Sequence, residues 1–242
     1  MSIEIFSKRQ TTLKNKLAND QFDGILLTNL TSIRYLCGFT GSAASCLITP
    51  EGSYFISDGR YDVQSKDQVK GLERFIDFGT HLSIIEKNDL INNGLKLAFE
   101  GDHTSVSQFK AMQDSFSNVN WESTSMLMEN LQAVKDPSEL DAIRTAVEIT
   151  DAIYEEIIPM LKVGTTEKEV AIQLVTRYRQ ESDGEAYSPI VAGGPNSALP
   201  HAVPSDRPFE KGDFIVIDAA AKIAGYHADM TRTPVVGEAT GK

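Results

Sequence analysis

Residues 195–233 read PNSALPHAVPSDRPFEKGDFIVIDAAAKIAGYHADMTRT, and they carry acidic side chains where core residues would be expected. The run Phe214–Ile217 is aromatic and β-branched, which is typical of a buried strand, and it leads directly into Asp218. The chain then reverses, and the returning strand carries Asp229. If the loop is Ile223–Ala224, Asp218 lies opposite Asp229, and opposed side chains are about 5 Å apart at Cβ. The sequence therefore predicts that two carboxylates converge.

Two facing carboxylates on a half-buried sheet repel each other, and both lose solvation, so a cationic partner is expected. A pair of divalent metal ions about 3.5–4 Å apart would satisfy both groups, with one carboxylate bridging and the other chelating. Oxygen ligands favour Mn²⁺, while Co²⁺, Zn²⁺ and Fe²⁺ stay open. The alternative is structural: Asp213, Asp218 and Asp229 are turn or strand-end residues, and Asp229 forms a salt bridge to Arg232 or Lys222.

Two segments carry a family resemblance, GPNSALPHAVPSDRPFEKGD (194–213) and IDAAAKIAGYHADMTRT (217–233). They resemble the pita-bread metallopeptidases, the family of aminopeptidase P, prolidase, methionine aminopeptidase and creatinase, and above all its Xaa-Pro peptidase branch. The resemblance implies that Asp218 and Asp229 are metal ligands. It also implies that His201 is a catalytic, substrate-binding residue beside the metals.

Three neighbouring positions leave alternatives open. From the residues alone, His201 after a proline is an ordinary loop residue; beside a metal pair, its imidazole could donate a hydrogen bond to the oxyanion at the scissile carbonyl. Ala220 departs from the family, which usually has glycine there, so its methyl group either crowds the metal pocket or is harmless. His227 would share a face with Asp229, and the resemblance makes it a rim residue instead of a ligand.

Composition narrows the class of protein. The 242 residues support two domains of about 100–150 residues each. The formal net charge of −11 argues against nucleic acid and anionic membranes, which both need a basic face. Met1–Gln10 lacks an apolar signal region, and this predicts a cytoplasmic protein. Cys37 and Cys46 form no CxxC motif and are expected to be buried thiols.

The amino-terminal part alternates strand and helix patterns, which predicts an α/β domain with a mixed sheet. The strand candidates are Gly24–Thr28, Ala44–Thr49, Tyr54–Ser57, Arg74–Phe78 and Leu95–Glu100. Pro50–Gly52 indicates a hairpin turn between two of them. The segments GILLTNLTSIRYLCGFTGSAASCLI (24–48) and FISDGRY (55–61) resemble the creatinase-type domain that precedes pita-bread catalytic domains.

The domains are predicted to be 1–132 and 133–242. Capping boxes at Asp136 and Thr166 begin two helices of the second domain, and a strand is predicted over Tyr187–Val191. One stripe of the first helix is predicted to face a sheet, namely Leu140, Ile143, Val147, Thr150, Tyr154, Ile157 and Leu161. Together with the acidic hairpin, these elements indicate an α+β unit.

The expected fold class is therefore an α/β creatinase-like domain followed by the first half only of an α+β pita-bread domain. In the family, one histidine and two glutamates that also bind metal follow the position of Asp229. Residues 230–242 contain no histidine and a single glutamate, Glu238. We therefore expect this chain to stop midway through the catalytic domain and to be inactive by itself.

For the complete enzyme, the resemblance implies a homodimeric metallopeptidase with two divalent ions, which hydrolyses the bond before proline in a peptide or dipeptide. Two other functions stay open. One is a non-catalytic pita-bread fragment that acts as a binding or dimerisation module. The other is a creatinase-like hydrolase of a non-peptide C–N bond. Turnover of proline peptides would distinguish the first function from both.

Overall fold

The computed structural model describes residues 3–238, and its contacts divide the chain between Val134 and Lys135. The division predicted after residue 132 lies two positions earlier. Each unit contains its own cluster of buried apolar side chains. Among residues 3–238, no helix combines the length and the apolar composition needed to cross a membrane.

A mixed sheet with helices around it forms the first unit, as predicted. Its strands are β1 (Gly24–Leu27), β2 (Ser45–Ile48), β3 (Ser53–Asp58), β4 (Glu73–Asp77), β5 (Lys96–Glu100) and β6 (Asn120–Thr124). Its helices are α1 (Ile3–Asn19), α2 (Leu30–Cys37), α3 (Asp62–Gln68), α4 (His81–Lys87), α5 (Val106–Ser115) and α6 (Leu127–Ala133). The sheet order is β4-β3-β2-β1-β5-β6, with β2 antiparallel to both of its neighbours.

Three details of this unit bear on the sequence predictions. The hairpin turn between β2 and β3 is confirmed, since the amide of Thr49 donates to the carbonyl of Gly52 at 2.9 Å. Strand β6 was not predicted, because its sequence, NWEST, is mostly polar and lies at the edge of the sheet. Cys37 and Cys46 are both buried and free, as expected.

The second unit contains two α-helices and five short strands within the described residues. The helices are α7 (Pro137–Ile157) and α8 (Glu167–Glu181). The strands are β7 (Ile190–Gly193), β8 (Ile215–Asp218), β9 (Lys222–Ile223), β10 (Tyr226–His227) and β11 (Thr231–Arg232). Strand β8 is central in the order β11-β8-β7, while β9 and β10 form a separate hairpin. Both predicted capping boxes are confirmed, with Asp136 and Thr166 as the N-caps.

The buried face of α7 differs from the predicted stripe in its first half. The buried residues are Glu139, Ala142, Ala146, Thr150, Ile153, Tyr154 and Ile157. Leu140 and Val147 are instead 41% and 37% exposed. The reason is close packing against the acidic hairpin, where Ala146 contacts Ala220 and Ala228. Alanine side chains of both elements meet at this contact, and Leu140 and Val147 lie outside it.

Candidate functional site

Asp218 ends the central strand of the second unit. Ile215 and Ile217 on β8 are fully buried and anchor the strand in the core, while Asp218 itself is half-buried. It pairs with Ile190 of β7 on one side and with Thr231 of β11 on the other. The strand therefore holds this carboxylate at a fixed position, at the point where the core ends.

The predicted register of the acidic hairpin was wrong by two residues. Residue 223 pairs with 226, and 218 pairs with 231, so Asp218 does not lie opposite Asp229. The loop is Ala224–Gly225, not Ile223–Ala224, and both loop residues have positive φ, 50° and 82°. Turns of this kind suit glycine and exclude the β-branched Ile223. A shift of two residues preserves the alternation of faces, which is why the carboxylates still approach each other.

Tyr187 joins the two carboxylates. Its hydroxyl lies 2.5 Å from Oδ1 of Asp218 and 3.2 Å from Oδ1 of Asp229. The Oδ1 atoms of Asp218 and Asp229 therefore both lie within hydrogen-bonding distance of one hydroxyl group. A phenol has one proton and donates to one carboxylate at a time, and the shorter distance indicates Asp218. Sequence reasoning missed this residue and placed it in a strand, whereas β7 begins only at Ile190.

The contact between Tyr187 and the hairpin depends on backbone bonds that are distant in sequence. The amide of Ala186 donates to the carbonyl of Ala220 at 2.8 Å, and Glu185 forms a bridge with Ala221. These bonds hold the segment before Tyr187 alongside the acidic hairpin. No local sequence pattern signals such a pairing, so the role of Tyr187 emerges only from the fold.

The environment of the site keeps the Tyr187 phenol protonated. Burial raises its pKa, and the hydrogen bond to Asp218 and the negative charges of Asp218 and Asp229 raise it further. Within residues 3–238, neither aspartate forms an ion pair with a lysine or arginine. Arg232 instead donates to the carbonyl of Thr231 at 2.9 Å. The salt bridge of the structural alternative is therefore not formed.

The donor chemistry of the two aspartates fits a divalent cation. Asp218 is half-buried, Asp229 is exposed, and their oxygens approach a shared point without a basic partner among the described residues. Carboxylate oxygens of this kind suit Mn²⁺ and similar ions. However, no group of three or more His, Cys, Asp or Glu side chains that could hold a metal occurs within residues 3–238. The described residues thus offer part of a ligand set.

His201 forms no hydrogen bond with Asp218 or Asp229 in the described part of the chain. It is exposed and follows a short 3-10 helix, Gly194–Ala198, in a turn where the amide of Ala202 donates to Leu199. Within the part of the chain that the structure describes, His201 makes no hydrogen bond or ion pair. Its imidazole is therefore available to a ligand.

Ala220 and His227 both lie in the acidic hairpin. Ala220 is fully buried and packs against Ala146 and Ala228, so its methyl group takes part in the contact with α7. His227 is exposed and pairs with Lys222 across β9 and β10. Partial desolvation of the ring and the charge of Lys222 lower the pKa of His227. The neutral form is therefore favoured for this imidazole.

A buried tyrosine supports the hairpin from beneath. Tyr154 of α7 is 4% exposed, and its hydroxyl lies 2.8 Å from the carbonyl oxygen of Met230 and 3.1 Å from that of Ile217. These carbonyls belong to the two chain segments that carry Asp229 and Asp218. Tyr154 therefore links α7 to both segments.

We expect Tyr154→Phe to lower the opening free energy of β8 by about 0.5–1.5 kcal/mol, because a buried hydrogen bond is lost while the carbonyl of Met230 still accepts from the amide of Ala219. Tyr178→Phe is the matched control, since the hydroxyl of Tyr178 is also buried and donates to no backbone carbonyl of β8 or β11 among the described residues. Amide hydrogen exchange of β8 measures both variants. Equal losses of opening free energy in the two variants would show that the hydroxyl of Tyr154 does not specifically stabilise β8.

Comparison with known proteins gives matches over both units. Residues 9–134 match the model of the Creatinase/Prolidase N-terminal domain, and residues 141–242 match metallopeptidase family M24. An uncharacterized peptidase of Bacillus subtilis, YqhT, is 34% identical over 93% of this chain and 64% of its own length. The chain thus spans slightly less than two thirds of this relative.

Solved structures agree with the family models. The Xaa-Pro dipeptidase from Bacillus anthracis has a TM-score of 0.90 and 34% identity, covering 98% of this chain and 66% of that one. The X-Pro aminopeptidase from Thermotoga maritima has a TM-score of 0.84 and 32% identity, covering 96% and 66%. The expected fold class is confirmed, with a creatinase-like domain followed by part of a pita-bread fold. The chain belongs to the creatinase/prolidase family, with its second unit in metallopeptidase family M24.

Proposed function

We propose that the protein is a metal-dependent Xaa-Pro peptidase, which hydrolyses the bond before proline in a peptide or dipeptide. The observation that carries this proposal is the approach of Asp218 and Asp229 around the hydroxyl of Tyr187, in a segment that matches an M24 metallopeptidase. The names of the related structures, an Xaa-Pro dipeptidase and an X-Pro aminopeptidase, support the choice of substrate.

Each residue has a part in this proposal. Asp218 and Asp229 would hold two divalent ions, with Mn²⁺ preferred, and the ions would supply Lewis-acid polarisation of the scissile carbonyl. Tyr187 orients both carboxylates through its hydroxyl. His201 donates a hydrogen bond to the carbonyl oxygen as negative charge develops there, and this lowers the barrier.

We further propose that residues 1–242 are inactive by themselves and that the active protein is a cytoplasmic homodimer. The described residues bring together two carboxylates and no third protein ligand, whereas a hydrolytic metal pair requires more. The same observation favours the competing function, a non-catalytic module that binds or dimerises. Both cysteines are free and buried, which suits a reducing compartment.

The test compares two proteins. One is residues 1–242; the other, the extended chain, continues residues 1–242 with the region of the family that carries the further metal ligands. With Mn²⁺ present, the extended chain is expected to hydrolyse an Xaa-Pro dipeptide and to leave the matched Xaa-Ala dipeptide largely intact. Residues 1–242 are expected to hydrolyse neither.

Three results would contradict these proposals. Hydrolysis of creatine but not of Xaa-Pro by the extended chain would favour the C–N hydrolase. A folded extended chain that binds Mn²⁺ and hydrolyses none of these substrates would favour the non-catalytic module. Xaa-Pro turnover by purified 1–242 would show that the two carboxylates suffice.

A further inference from the structure

Glu167, in the first turn of α8, is a buried carboxylate whose partners all lie elsewhere in the chain. The residue is 1% exposed. Its oxygens accept hydrogen bonds from the amide of Gly193 at 2.7 Å and from the amide of Ser205 at 3.0 Å. The hydroxyl of Ser205 donates at 2.6 Å, and the side-chain amide of Asn196 donates to both oxygens, at 3.0 and 3.2 Å.

These donors enclose the loop that carries His201. Gly193 ends β7, Asn196 lies in the 3-10 helix that follows, and Ser205 lies beyond the histidine. His201 itself makes no hydrogen bond within the described residues. Glu167 therefore contacts the loop on both sides of the histidine and not at the histidine itself. The backbone adds to the second end, where the amide of Lys168 donates to the carbonyl of Ser205 at 3.0 Å.

Glu167 does not serve its own helix. Thr166 is the N-cap of α8, and Glu169 completes the capping box by accepting from the amide of Thr166. The carboxylate of Glu167 is directed at the loop, where it meets only N–H and O–H donors. Burial opposes its ionisation, yet the bonds from Ser205, Gly193 and Asn196 lower its pKa below the usual value. The loop is therefore organised around a negative charge.

We propose that Glu167 is a positioning residue for catalysis, which sets the place of the His201 imidazole by fixing both ends of its loop. This inference rests on the proposed role of His201. A charged acceptor suits the task because hydrogen bonds to ionised groups are stronger than those between neutral groups. Glutamine has nearly the same shape, but its NH2 group is a donor and would replace one of the two oxygens that accept from these N–H and O–H groups.

The first test uses residues 1–242 and needs no enzymatic activity. Glu167→Gln is expected to speed hydrogen exchange of the Gly193 or the Ser205 amide by about 10-fold or more, because these amides bond to different oxygens and glutamine leaves one of them without an acceptor and the other with a neutral one. Glu169→Gln is the matched control: it removes the same charge from the same helical turn and retains the capping box. Unchanged exchange at both amides in Glu167→Gln would overturn the proposal.

The second test separates positioning from a general effect on stability. In the extended chain, Glu167→Gln is expected to lower kcat by about 10-fold to 100-fold with metal content unchanged. Added to His201→Ala, it should cause little further loss, because it acts through the imidazole. A full additional loss in the double variant would overturn the proposal and leave the role of His201 intact.

The outcomes for the two proposals remain distinct. If His201→Ala has no effect on kcat, the proposed role of His201 fails, and positioning for catalysis fails with it even if the exchange result holds. If Glu167→Gln does not fold, Ser205→Ala takes its place in both tests; it removes the hydroxyl that donates to Glu167 and that also accepts from the amide of Arg207. Exchange at Gly193 and kcat that both stay unchanged in a folded Ser205→Ala would then count against the proposal.

Discussion

Asp218→Asn and Asp229→Asn are each expected to lower Xaa-Pro hydrolysis by the extended chain more than about 100-fold. Loss of a residue that only orients a metal ligand already reduces metal affinity or activity 10–100-fold, and loss of a ligand's charge should exceed this. Asparagine retains the shape of the side chain, so β8 and its pairing with β11 should be preserved. Activity should therefore fall while the circular dichroism spectrum stays unchanged.

Metal content and a control variant complete this test. Mn²⁺ content, measured by elemental analysis, should fall in both variants. Asp141→Asn is the control, because Asp141 lies on α7 with a side chain that is 72% exposed and, among residues 3–238, pairs only with the nearby Arg144. It should retain full activity. Normal Mn²⁺- or Co²⁺-dependent turnover in either Asp218→Asn or Asp229→Asn would rule out the ligand assignment.

His201→Ala is expected to lower kcat of the extended chain by about 100-fold or more, the effect of losing one donor to a developing oxyanion. Its side chain is exposed and makes no hydrogen bond within residues 3–238, so the fold should tolerate the change. Metal content should stay near normal. Steady-state kinetics and metal analysis of the same preparation provide the measurement.

A second histidine variant shows whether the effect is specific. His103 lies in the first unit, where its ring contacts the side chain of Asn29 at 2.8 Å. His103→Ala should leave kcat unchanged. If His201→Ala lost metal in step with activity, the imidazole would be a metal ligand. If it retained full activity, the imidazole would have no part in the chemistry.

Local signals in the sequence predicted much of the frame around the site. The apolar run before Asp218 gave the central strand, and the residues at Asp136 and Thr166 gave two helix starts, because capping depends on neighbours in the chain. The family resemblance, more than spacing, singled out Asp218 and Asp229. The structure shows that their carboxylates lie near one hydroxyl.

The features that sequence reasoning missed depend on contacts between distant residues. Two loops of equal length were compatible with the hairpin, and only the pairing of Ile223 with Tyr226 identifies the correct one. Tyr187 reaches the aspartates through a backbone bridge, and Glu167 reaches its donors across the unit. Neither pairing leaves a periodic or local pattern in the chain. The buried face of α7 was misplaced because its alanines are weaker hydrophobic signals than leucine and valine.

The three alanines between α7 and the acidic hairpin impose a limit on how this region can evolve. Ala146, Ala220 and Ala228 are all within 2% of full burial and meet in one cluster. A larger residue at any of them would overpack the contact and lower the free energy of unfolding by about 1–3 kcal/mol. Sequence change at these three positions is therefore restricted by the volume of the side chain and not by its reactivity.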